Sequence, residues 1–239
     1  MPIARMIASS AILALIATAG LVAAPSHAKP VSVDTFYERL DAAAEQWQDR
    51  AEGRSMTTTF RLRGPLGVRS TNTMTINPDG SMRATFLPPF LDTKRLVRCI
   101  DASTCWTTTA DDRQWHRLAP DAVTIVGEQL PGVNKPEDPA PGTVTARITG
   151  NVYQLDDSAD DQQASLRVTN RKKSWRAVLK VTDPDGQEEN YVSSKVRMNP
   201  KPVKIREPAS GQIGEPDNQT TITFNQYSGA MEIDLGTIS

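Results

Sequence analysis

The stretch SMTTTFRLRGPLGVRSTNTMTINPDGSMRATFL, residues 55–87, decides the fold. Its apolar residues recur at every second position. Met56, Thr58, Phe60 and Leu62 share one face of an extended chain, and Thr57, Thr59, Arg61 and Arg63 share the other. Residues 68–76 alternate again, with Met74 and Ile76 on one face. Met82, Ala84 and Phe86 continue that face opposite Arg83 and Thr85. Two turns separate the runs, at 64–67 and at Asn77-Pro78-Asp79-Gly80. In the second, proline presets φ and glycine accepts a positive φ, so the chain reverses as a hairpin. Strands joined by tight turns, with no helix between them, predict an antiparallel sheet.

Toward the N-terminus the period changes to that of a helix. Over residues 32–51, Phe36, Leu40, Ala43, Ala44, Trp47 and Ala51 fall on one face, with Glu38, Asp41, Glu45 and Asp49 mostly on the other. Ser32 or Asp34 is placed to cap the start, and Gly53 follows the end. Before this lies Arg5, then the apolar run 7–24, then Ser26-His27-Ala28. That order of charge, apolar run and small residues predicts a secretory signal peptide over residues 1–28, cleaved near Ala28. The expectation is one secreted or cell-envelope domain over 29–239. No cysteine sits near the cut, which predicts a released protein in place of a lipid-anchored one.

Toward the C-terminus, Cys99 and Cys105 are the only cysteines. They flank five residues that read as a hairpin loop, and an exported chain favours a disulfide between them. A short helix is expected over 122–130, and a Pro/Gly-rich loop over 131–142. Strand-like runs resume at 144–148, 152–155, 164–169, 175–182, 191–198 and 203–206, then at 220–224 and 231–235. The fold class is therefore mainly β (α+β): a large curved antiparallel sheet or half-barrel, covered by an N-terminal helix and a short middle helix.

Composition narrows the function classes. Lys+Arg 27 against Asp+Glu 28 argues against nucleic acid as a partner. The domain holds a single histidine, His116, beside Trp115; a surface histidine is the simpler reading. No metal ligand set and no nucleophile elbow are recognisable, so neither catalysis nor a cofactor is expected. The methionine-rich face is more suggestive, because flexible, polarisable methionine suits irregular apolar ligands. Arg61, Arg63, Arg69 and Arg83 lie on the opposite face. Attraction to anionic headgroups is one reading of them; with near-zero net charge, a solvated outer face is the simpler one.

The order of these features is similar to that of a known superfamily. A signal peptide and an amphipathic helix lead into the strands of 56–87, then into CWTTTADDRQWHRL, residues 105–118, and at the end TITFNQYSGAMEID, residues 221–234. Together they resemble the LolA-like lipoprotein carriers, including the actinobacterial LppX/LprG-type proteins. The resemblance implies a curved half-barrel closed by helices over an apolar cavity for acyl chains. Candidate cavity residues are then Met56, Phe60, Met74, Met82, Phe86 and Phe90. Candidate lid residues are Phe36, Leu40, Trp47, Ile125 and Leu130. The expected function is a secreted lipid or lipoprotein carrier with a lipid or acylated ligand and transient membrane-surface contact. The alternative is an envelope sensor that binds a partner protein on the same fold.

Overall fold

The computed structural model describes residues 30–65, 68–87, 93–127, 129–134, 144–159, 162–182 and 189–234. The expected signal peptide, Phe90 and most of the 131–142 stretch lie outside these residues. The chain opens with β1 (Pro30–Val31) and α1 (Val33–Ala51). Next come β2 (Met56–Arg63), β3 (Arg69–Ile76), β4 (Met82–Phe86), β5 (Arg95–Cys99), β6 (Cys105–Thr109), β7 (His116–Arg117) and β8 (Val123–Val126). A second run holds β9 (Val144–Thr149), β10 (Val152–Ala159), β11 (Gln162–Arg171), β12 (Ser174–Thr182) and β13 (Glu189–Met198). The chain closes with β14 (Thr221–Asn225) and β15 (Met231–Asp234).

Two meanders, β2–β7 and β9–β13, merge into one curved antiparallel sheet of 12 strands, in the order β1-β9-β10-β11-β12-β13-β2-β3-β4-β5-β6-β7. The join is β13 against β2, with Val196 opposite Thr58 and Ser194 opposite Phe60. The Asn77–Gly80 turn forms as its sequence dictates: Asn77 N–H donates to Ser81 O at 2.9 Å, and Gly80 takes φ 80°.

Each half of the sheet has its own cover. Helix α1, capped by Ser32 Oγ accepting from Thr35 N–H at 3.1 Å, lies over β9–β13. Phe36, Leu40 and Trp47 are fully buried there among Tyr153, Leu155, Val168, Trp175 and Val196. Leu130 and Val133 join this core, and Trp175 Nε1 donates to Pro131 O at 2.9 Å. Gly132 fits because it has no side chain: a Cβ there would lie 2.7 Å from Val168 Cγ2. The start of the expected 131–142 loop is thus part of the core.

The other half, β3–β6, is covered by a small second sheet ordered β15-β14-β8. Ile222, Phe224 and Ala122 pack there against Met74, Met82, Phe86 and Val97. This corrects the short helix expected over 122–130. Val123–Val126 is a strand that runs parallel to β14, with Ile125 opposite Phe224. Its β-branched run favours extended backbone, and β14 supplies the hydrogen-bonding partner. The strand expected over 203–206 does not form either. Pro200 and Pro202 lack donors, and Val203 N–H is used by the Asn77 side chain at 2.9 Å. Among the described residues no helix is long and apolar enough to cross a membrane.

Candidate functional site

The two apolar cores sit side by side on the inner face of one sheet, and a seam runs between them. Strands β2 and β3 carry its floor. Met56 packs partly buried against the helix core, while its cross-strand partner Ile76 packs against the small-sheet core. The 226–229 turn bridges the seam at one end. Thr58 Oγ1 donates to Gln226 O, and Ser194 Oγ lies 2.9 Å from Tyr227 O and 2.7 Å from Ser228 O. Gly229, at φ 72°, brings the turn close to the sheet: a Cβ there would lie 3.0 Å from both Phe60 Cβ and Thr58 Cγ2.

Between this turn and the C-terminal end of α1 lies a cleft of about 410 Å³. Ala51, Met56, Ile76 and Tyr227 give it apolar surface. Gln48, Asp49, Glu52, Arg54, Asn77 and Gln226 add polar groups. An apolar wall with a few polar groups and a volume of this order is the usual form of a small-ligand site.

The structure divides the expected cavity residues. Met56 reaches the seam cleft. Met74, Met82 and Phe86 are buried in a packed cluster with Ile222 and Phe224, and Phe60 is buried beside the bridging turn. Of the expected lid residues, Phe36, Leu40, Trp47 and Leu130 come together in the helix core. Ile125 is apart from them, 38% exposed on β8. Sequence reasoning missed Ala51, Ile76 and Tyr227 as neighbours. Ile76 was legible as an inner-face residue; only the return of the C-terminal chain brings Tyr227 to it.

A second cleft, of about 480 Å³, opens at the β7 edge and is polar. Arg95, Thr107, Thr109, Asp112, His116 and Asp217 line it. Both nitrogens of His116 are engaged: Nδ1 is 2.7 Å from Glu215 O, and Nε2 is 2.8 Å from Asp112 Oδ2. A carbonyl only accepts, so Nδ1 carries a proton. The hydrogen bond it donates to Asp112 foremost, then the one to Glu215 O, raises the His116 pKa and favours imidazolium. The nearby hydroxyls donate elsewhere, Thr107 Oγ1 to Leu96 O at 3.2 Å and Thr108 Oγ1 to Thr109 O at 3.2 Å. At Asp217 burial works to raise the pKa, but hydrogen bonds from Thr220 and Gln219 and the charge of Arg95 hold it below the ordinary value. Held at both nitrogens, His116 pins the β7 edge to Asp112 and to Glu215. Among the described residues no group of His, Cys, Asp or Glu is arranged to hold a metal ion.

Cys99 and Cys105 face each other across the β5–β6 ladder and form a disulfide, with Cα atoms 4.0 Å apart.

No family model and no curated protein matches the chain. Among solved structures it is similar to the S-type phycobiliprotein lyase CPES from Guillardia theta, at 8% identity and a TM-score of 0.26, over 72% of this chain and 95% of that one. A superposition that loose carries no argument about ligand or activity.

Proposed function

We propose that the protein is a non-catalytic, extracytoplasmic carrier that takes one slender apolar group, such as the acyl chain of a lipid or lipoprotein, in the seam cleft. The observation that carries this reading is the position of the cleft. It lies where Met56 of one core meets Ile76 of the other, so an apolar chain extends surface that both cores already offer. Its polar groups suit the headgroup end of such a ligand. The expected signal at residues 1–28 and the disulfide both fit an oxidising compartment outside the cytoplasm.

Native mass spectrometry and uptake of a fluorescent fatty acid test it. The wild type is expected to carry or take up one acyl ligand, and Ile76→Glu to lose it with the fold intact by circular dichroism. A clean apo mass with no uptake would end the carrier reading.

A second reading, a protein-interaction module, is favoured by β8. This edge strand of the small sheet exposes Ile125 and Val126, 38% and 44% accessible. An exposed edge of this kind receives a partner's strand by main-chain pairing. A stoichiometric protein in the same native spectra, in place of lipid, would favour it.

A further inference from the structure

The outer face of the main sheet, turned away from both cores, gathers cations that sequence order keeps apart. Cross-strand register sets Arg63 opposite Arg69, Arg83 opposite Arg98, and Arg176 opposite Lys195. Like charges directly opposite each other weaken a ladder. The fold carries all three pairs and relieves them only locally. Arg63 lies 5.9 Å from the Tyr191 ring centroid, Arg98 lies 4.3 Å from that of Trp115, and Arg176 Nη2 donates to Tyr191 Oη at 3.0 Å. The same face adds Arg61 and Arg197 near its centre, Arg147 and Arg167 on one flank and Arg117 on the other.

Among the described strand side chains of this face, Asp156 is the one carboxylate, 3.9 Å from Arg147. Acidic residues gather instead on α1, where Glu38, Asp41, Glu45 and Asp49 are exposed on the far side of the molecule. A formal net charge of −1 therefore conceals a strong separation of charge. Tyr191 reports the field: burial works to raise its pKa, but hydrogen bonds from Ser193 and Arg176 and the charges of Arg176 and Arg61 bring it below the ordinary value.

We propose that this face docks the protein on the surface of an anionic phospholipid bilayer. Charge complementarity is the first argument: basic side chains near such a surface are attracted to it additively. The second is shape. The exposed part of the field, from β11 to β3, crosses four strand spacings, about 20 Å along the sheet, and extends along strands of 8 to 10 residues, roughly 30 Å. A bilayer meets the crest of this curved face, and a screening length of about 8 Å lets rows slightly off the plane contribute. The exposed large apolar residues Ile125, Val126 and Ile213 lie outside these strands, so the contact is with headgroups and not by insertion.

The proposal does not rest on the seam cleft, because an acyl-free protein docks equally. Flotation of the protein with vesicles of phosphatidylcholine, with and without phosphatidylglycerol, tests it. Binding is expected only to the anionic vesicles and falls at least about tenfold from ~0.05 to ~0.5 M salt. The triple variant Arg63→Gln, Arg176→Gln, Lys195→Gln loses at least about tenfold in partitioning. Its thermal midpoint is unchanged or higher, since like-charge pairs are relieved. Glu38→Gln with Glu45→Gln keeps full binding. Equal binding to neutral vesicles, no binding to anionic vesicles at low salt, or a folded triple variant that binds like the wild type would overturn the proposal. So would capture of duplex DNA at a salt where vesicles are ignored.

Discussion

His116 shows how much one side chain depends on distant chain. Its ring joins β7 to Asp112, four residues earlier, and to Glu215, 99 residues later. Its pKa is raised by these partners, so the sign of its pH effect follows. The contribution to stability is fully present below the unfolded value of about 6.5 and is lost as pH rises through the higher folded value. Asp112 acts from the other side: its pKa is lowered, first by the Gln114 backbone N–H and then by His116, and its contribution is lost in acid. An NMR titration is expected to place His116 above its ordinary value, and Asp112→Asn to bring it down. A wild-type titration at or below the ordinary value would show that the hydrogen bonds do not form in solution. The sequence identified His116 as a lone histidine in a strand context; its acceptor at Glu215 was not legible, because nothing local links the two.

At the scale of elements, local pattern and outcome agree wherever local physics decides. The 3.6-residue period of 32–51 gave α1 its buried face, and Asn77–Gly80 gave its hairpin. The β5–β6 hairpin is likewise local, and its disulfide closes a loop of 6 residues separation. Loop-closure entropy for so short a ring amounts to about 2 kcal/mol. Cys99→Ala with Cys105→Ala should therefore lower the unfolding free energy by that amount, moving the urea midpoint down with an unchanged slope, as the same ladder persists. A change in slope would mean that the bond also holds distant parts together. Strand β8 shows the limit of local pattern. Residues 122–130 form too short a run for period to separate helix from strand, and β14, nearly a hundred residues away, supplies the ladder that decides.

At the scale of the molecule, the sheet is too wide for one cover. Helix α1 serves β9–β13 and the small sheet serves the opposite half, which is why Met74, Met82 and Phe86 are packed under Ile222 and Phe224. A chain ending at Asn218 lacks β14 and β15. It should uncover those three side chains, bind a hydrophobic dye such as ANS strongly, and lose the cooperative thermal transition of that half. Unchanged cooperative unfolding would show that the small sheet is dispensable. Charge separation is also a property at this scale. Only four of the outer-face arginines, Arg61, Arg63, Arg69 and Arg83, were read together from sequence, because they fall within one run of alternation. Those of β11–β13 join them only when β13 pairs with β2.

The sequence by itself determined the helix, the alternating strands, the Asn77–Gly80 turn, the cysteine pair and the mainly-β class. Each of these follows from side chains within a few residues of one another, where period, capping and turn chemistry act. Tertiary structure alone decided which cover lies on which half of the sheet, where the seam cleft falls and how the cations converge. Those depend on pairings between segments far apart in the chain. Their free energy comes from burial and register, and alternation of polar and apolar residues specifies a strand's face without naming its neighbour.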